Sequence, residues 1–196
     1  MATTIPAASP LDYQSTTDKR SRPNWLLRIV VAAVLLIGAA SVLLPSMCKA
    51  GETANRAKCA SNLHQIGLAI SLYARENGGI YPDSFATMMI AEGLTPAVFV
   101  CPSSNDEAAG GDSPAQMAGN LTGKPHHLSY VYLGKTLTSA TVRDDTVVAY
   151  EHPENHQDGG MNILFGDGHA EWYPMANAKL LIAKSTAATQ QAAPHQ

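Results

Sequence analysis

A chain of 196 residues with a formal charge of -3 has room for one ordinary domain plus an anchor and tails, which excludes a multidomain enzyme. Its Lys and Arg residues form no dense stripe, so the clustered positive charge that displaces counterions from nucleic acid is missing and nucleic acid is excluded as a partner.

Residues 1–24 are rich in Thr, Ser, Ala and Pro without an apolar period, which predicts a disordered tail. From Trp25 to Leu44 the residues are apolar or small apart from Arg28 and Ser41, a length that as helix covers about 30 Å of hydrocarbon. The expectation is a transmembrane helix over 25–45. Arg28 lies one turn inside its amino end, where the long side chain snorkels back to the headgroups. Lys19, Arg20, Arg22 and Arg28 precede the apolar core, so the N-terminus is expected in the cytoplasm and the remainder beyond the inner (cytoplasmic) membrane. A signal peptide cut after Ala50 is the rival, against which the long segment before the apolar run speaks.

Pro45 is placed to bend the helix near the membrane surface, after which a helical pattern resumes through Asn77 and opens an extracytoplasmic domain over 46–182. Cys59, Leu63, Ile66, Ile70 and Tyr73 fall on one helix face, with Lys58, Asn62, Gln65 and Arg75 elsewhere. Asn77-Gly78-Gly79 ends the helix, and a short helix follows from about Ser84 to Glu92. Cys101 to Pro125 is rich in Gly, Pro, Asn and Asp and reads as a long surface loop.

Strand character appears at Leu128–Leu133, at Thr146–Tyr150, and at Met161–Tyr173 as two strands around Gly166-Asp167-Gly168. In that hairpin Asn162, Leu164, His169 and Glu171 alternate with Ile163, Phe165, Ala170 and Trp172, which predicts one wet and one dry face. The dry face is the natural cover for the helix face around Leu63 and Ile70, giving an α+β domain in which a helix packs on a meander of about four strands. Residues 183–196 read as a second disordered tail.

Export places Cys48, Cys59 and Cys101 outside the cytoplasm. A Cys59–Cys101 disulfide would staple the loop to the helix; two buried thiols are the alternative, and Cys48 is left over. His152, His156, Asp158, Asp167, His169 and Glu171 concentrate potential ligands, with His156, Asp158, Asp167 and His169 the candidate metal set, for zinc or calcium according to geometry. The same Asp-Gly pairs are what tight turns require, and the turn reading is the stronger. Ser103 or Ser129 can be written beside His126, His127 or His156, but no glycine-flanked nucleophile elbow and no His-Glu-x-x-His helix occurs, so no enzyme is expected.

Leu43-Leu44-Pro45, Ala54 through Ala69 (ANRAKCASNLHQIGLA), Tyr81-Pro82, Phe99-Val100-Cys101-Pro102-Ser103-Ser104 and Met161 through Trp172 (MNILFGDGHAEW), in that order, resemble the prepilin-like proteins of planctomycete-type bacteria. Those proteins carry a C-terminal prepilin processing-associated domain named for a His, nine residues and Asp-Gly; here Gln157 to Gly166, one residue more, separate His156 from Asp167. Asn62, Gln65, Gly67, Pro102, Asp167 and Gly168 are the positions that match the family blocks. Asn24 to Arg28 stand where the family has its processing site and helix glutamate. The resemblance implies a pilin-like fold and a pseudopilin-like or minor-pilin-like subunit of a type II secretion or type IV pilus-like system, with other pilin-like subunits or secretion proteins as partners. It also favours calcium over other ions, since some pseudopilins hold calcium near their C-terminus. In such an assembly Gly38, Ala39 and Leu43 are expected at a helix–helix interface, because small residues let backbones approach in lipid. A solitary anchored module that binds a metal or small ligand through the His/Asp cluster is the alternative.

Overall fold

The computed structural model describes residues 24–123, 126–156 and 159–192, without the side chains of 42–49 and 190–192. The tail expected over 1–24, apart from Asn24, and the side chains of Leu43, Cys48 and Asp158 therefore lie outside the described residues.

Helix α1 runs Trp25–Glu76. The chain divides into two compact units at Leu44/Pro45. In the first, every described side chain from Trp25 to Ser41 is exposed, and open space surrounds Gly38. Among the described residues no helix is long and apolar enough to cross a membrane.

The second unit is α+β. Helix α2, Phe85–Glu92, starts at Ser84, whose hydroxyl accepts the Thr87 N–H at 3.1 Å, and stops at Gly93. A 3-10 turn at Pro96–Phe99 leads to Cys101. Where a bare loop was expected, helix α3 forms over Pro114–Asn120: Pro114 supplies a preset first turn and Ser113 caps it. Ala109, Ala118 and Leu121 are buried, so this segment is packed down and does not merely cross the surface. Strands β1 (Tyr130–Tyr132), β2 (Val147–Glu151), β3 (Gly160–Phe165) and β4 (Ala170–Pro174) follow as an antiparallel meander in chain order.

The predicted α1 face is buried at Cys59, Leu63, Ile66 and Ile70, and Ala74 takes the place expected of Tyr73, which is half-buried. These residues share a core with Phe85, Met88, Phe99, Tyr130, Ala149 and Leu164. Two glycines set the approach. A Cβ on Gly67 would stand 3.0 Å from Leu164 Cδ1 and 3.6 Å from Gly168 Cα, so α1 and the β3–β4 turn meet nearly backbone to backbone. Gly168 turns that hairpin at φ +87°, which an L side chain rarely adopts, and its carbonyl lies 3.0 Å from His64 Nδ1.

The hairpin has no wet face along β3. Every β3 residue is buried, including Asn162. Asn162 and Leu164, expected toward water, face α1, while Met161, Ile163 and Phe165 pack with Ala178, Met175, Leu181 and Ile182 of α4. Helix α4, Met175–Ala192, also replaces the tail expected from residue 183 up to 192. Its composition explains this: Ala, Lys, Leu and Gln are good helix formers, and an apolar stripe anchors it to the sheet. Ser185 Oγ adds a bond to the Val147 N–H at 2.8 Å.

This packing predicts that Leu63→Ala, which opens a hole in the fully buried face, costs about 2 to 5 kcal/mol in chemical denaturation. Leu68→Ala, at a side chain 53% exposed on the same helix, should stay within about 0.5 kcal/mol of the parent. Equal losses at both positions would mean that a different face of α1 is buried.

Candidate functional site

Three separated parts of the chain meet at one buried cluster. The helix supplies Glu52 and Cys59, seven residues apart and hence two turns along one face. The loop after the 3-10 turn supplies Cys101, held by its N–H to Ser129 Oγ at 2.8 Å. Strand β2 ends on Glu151, two residues after core Ala149 and so on the same inward face. The turn after β2 supplies His156, positioned by Asn155, whose side-chain amide donates to Ser129 O at 2.7 Å.

Cys59, Cys101 and Glu151 are fully buried and His156 is 3% exposed. One ligand atom from each of the four lies within 4.8 Å of all the others. His156 Nε2 stands 3.5 Å from Cys101 Sγ and 3.3 Å from Glu151 Oε1, and its Nδ1 hydrogen-bonds Glu52 Oε1. Glu52 Oε2 accepts from Ser103 Oγ at 2.9 Å. Glu151 is held from β3: Asn162 donates its backbone N–H to Oε2 at 2.6 Å and its side-chain amide to Oε1 at 3.2 Å. The same amide donates to Arg56 O at 3.1 Å, tying the cluster back to α1. Trp172 covers His156 edge-on at 5.1 Å, and the Arg56 guanidinium lies 4.0 Å over the indole. Gly160 makes room for that indole, since a Cβ there would fall 2.4 Å from Trp172 Cζ2.

The electrostatics follow from this crowding. Burial pulls the His156 imidazole down, but hydrogen bonds to Cys101, Glu151 and Glu52 outweigh it and raise the pKa to about 10. Hydrogen bonding from Cys59, against burial and with help from His156, lowers the Cys101 thiol to about 6. Cys59 is driven the other way by its bond to Cys101, by burial and by Glu151. Burial of Glu52 is outweighed by His156 and Ser103, which hold its carboxyl below the usual value. The crowding thus biases Cys101 toward its thiolate and His156 toward its protonated form, and Cys59 toward its neutral thiol.

Cys59 and Cys101, expected as a disulfide with two buried thiols as the alternative, are both buried and free, and they share one cluster. Among the described residues, His156, Asp167 and His169 of the metal set expected from sequence do not come together. His156 precedes β3 and Asp167 follows it, and a six-residue strand at about 3.3 Å per residue holds them about 20 Å apart. Asp167 and His169 instead pair with each other on the turn, His169 Nδ1 to Asp167 Oδ1 at 2.5 Å, with side chains 41% and 47% exposed. Glu171 accepts from Tyr173 OH at 2.6 Å. Of the other motif residues, Asn62 donates to Val100 O at 3.1 Å, Gln65 to Ser61 O at 3.4 Å, and Pro102 is exposed beside the cluster's loop. Ser129 donates to Asp106 at 2.6 Å and Ser103 to Glu52, so both hydroxyls serve as loop clasps. Glu151 and Glu52 were not singled out from sequence, although the alternation in Val147–Glu151 and the two-turn spacing to Cys59 carry the signal.

An open cleft of about 1120 Å³ lies between α4 and residues 136–146. Its rim ion pair, Arg143 to Asp145 at 3.3 Å, is largely solvated, with side chains 80% and 66% exposed.

No protein-family model, curated protein or solved structure matches the chain. The fold is therefore defined by its own geometry as an α+β domain with a helix on each face of a four-stranded antiparallel meander.

Removing the Glu151 carboxylate leaves the buried Asn162 N–H without its acceptor and takes one partner from His156. Glu151→Ala should cost about 3 to 5 kcal/mol, read as a lowered denaturation midpoint. Glu154→Ala, at an exposed position on the following turn, should be close to neutral.

Proposed function

We propose that the chain is a membrane-anchored, pilin-like structural or assembly subunit, pseudopilin-like or minor-pilin-like, of a type II secretion or type IV pilus-like system. Its α+β domain would stand outside the cytoplasm. The observation that carries this reading is the amino-terminal part of α1. Trp25, Leu26, Leu27, Ile29, Val30, Val31, Val34, Leu35, Leu36 and Ile37 are 49 to 71% exposed, and consecutive residues point all round a helix. An apolar surface of that kind is stable in water only when something covers it, and the run to Leu44 has about the length of the hydrocarbon layer. The order of the sequence blocks that resemble prepilin-like proteins supports the same reading, as does a domain built on the continuation of that helix.

The anchored binding module using Asp167 and His169 has less support, because those two groups already satisfy each other on an exposed turn. Lateral packing of anchors is the natural use of Gly38, which has open space around it among the described residues, and of exposed Ala39.

In alkaline carbonate extraction of expressing cells, the full chain should stay in the membrane pellet, and a chain starting at Gly51 should move to the supernatant. Release of the full chain by carbonate would remove the anchor. If anchors pack laterally, Gly38→Leu should abolish crosslinked oligomers in membranes while leaving the pelleted amount unchanged, and oligomers that persist would rule out that interface.

A further inference from the structure

We propose that Cys59, Cys101, Glu151 and His156 form a closed, structural zinc site that fastens α1 and the 101–106 loop to the end of strand β2. The geometry supplies the first reason. A tetrahedral zinc with sulfur at about 2.3 Å and nitrogen or oxygen at about 2.0 Å sets sulfur and nitrogen about 3.5 Å apart and nitrogen and oxygen about 3.3 Å apart. The Cys101 Sγ–His156 Nε2 and His156 Nε2–Glu151 Oε1 separations are 3.5 and 3.3 Å, and all four atoms fit within 4.8 Å. Two sulfurs, an imidazole and a carboxylate oxygen are a donor set that zinc takes and that calcium, which binds oxygen, does not.

The surroundings supply the second reason, independently of the ligands. His156 presents Nε2 inward while its Nδ1 meets the Glu52 carboxylate, the outer carboxylate–histidine arrangement that fixes the ring and its tautomer at zinc sites. Glu151 is oriented by both donors of Asn162. With three anionic ligands and a neutral imidazole the occupied site carries one net negative charge, and Arg56 lies beside it over Trp172. Four protein ligands in a buried site leave no open position for water, which makes the role structural. Zinc entry releases the protons of any thiol and of the Nε2 position, and no redox step is involved. A disulfide uses the same two sulfurs and excludes the metal, so the two outcomes are mutually exclusive.

The test is metal analysis and intact mass of the full chain, purified in detergent with a reductant and without chelator. One zinc per chain is expected, retained in Cys48→Ser and in Asp167→Asn and lost in Cys59→Ser. Because Cys59→Ser risks misfolding, cobalt(II) is added to the chelator-stripped parent chain, where thiolate-to-cobalt charge-transfer absorption with tetrahedral visible bands is expected. Glu52→Gln, which leaves all four ligands, should weaken zinc binding about 10- to 100-fold. A metal-free chain whose mass shows a Cys59–Cys101 bond under reductant would overturn the proposal. Two free thiols that take up neither zinc nor cobalt would overturn it equally, and so would zinc lost on Asp167→Asn.

Discussion

The domain is organised around a carboxylate that has no access to water. Glu151 ends a core strand fully buried, and a charge or even a neutral acid left unpaired there would cost several kcal/mol, comparable with the whole stability of a domain of this size. Its partners come from every part that must be held: Asn162 from β3, His156 from the turn after β2, and through His156 the Cys101 loop and Glu52 of α1. Satisfying one carboxylate therefore fixes the register of β3 against β2 and the rotation of α1 over the sheet. Trp172 and Arg56 close the site, which keeps the dielectric low and the interactions strong.

The second constraint is that the sheet has two covered faces. Helix α1 occupies the side of Tyr130, Ala149, Glu151 and Leu164, and α4 the side of Val147, Met161 and Ile163. A strand buried on both sides must be apolar or fully paired, and β3 meets that condition with a single polar side chain, Asn162, whose amide donates twice. Glycines at 67 and 160 let α1 and Trp172 come close enough to exclude water.

Much of this was readable from local chemistry. Periodicity locates the buried face of α1 through Cys59, Leu63, Ile66 and Ile70, glycines mark its end, and strand-like runs between turns give four strands in the right order. What failed was long-range. Alternation along Met161–Phe165 looked amphipathic because Asn162 is polar, and only the arrival of α1 shows that the amide faces protein. Helix α4 was missed because Ala- and Gln-rich sequence resembles a tail until the sheet offers it a surface. The site is half legible: the sequence places Cys59 and Cys101 near each other, though as free buried thiols and not as the expected disulfide, while closeness in sequence groups His156 with Asp167 and His169. A strand of six residues separates what the sequence sets side by side, and the fold brings in Glu151 and Glu52 instead.

The most direct test of the central claim is native-state amide hydrogen exchange, comparing α1 around Cys59 with the Asn162 amide. If the buried carboxylate and His156 hold helix, loop and strand as one unit, both segments open with the same free energy, and His156→Ala lowers it equally in both. Fast, independent exchange of the helix amides with Asn162 still protected would contradict the account, because α1 would then be packed on the sheet without being fastened through the cluster.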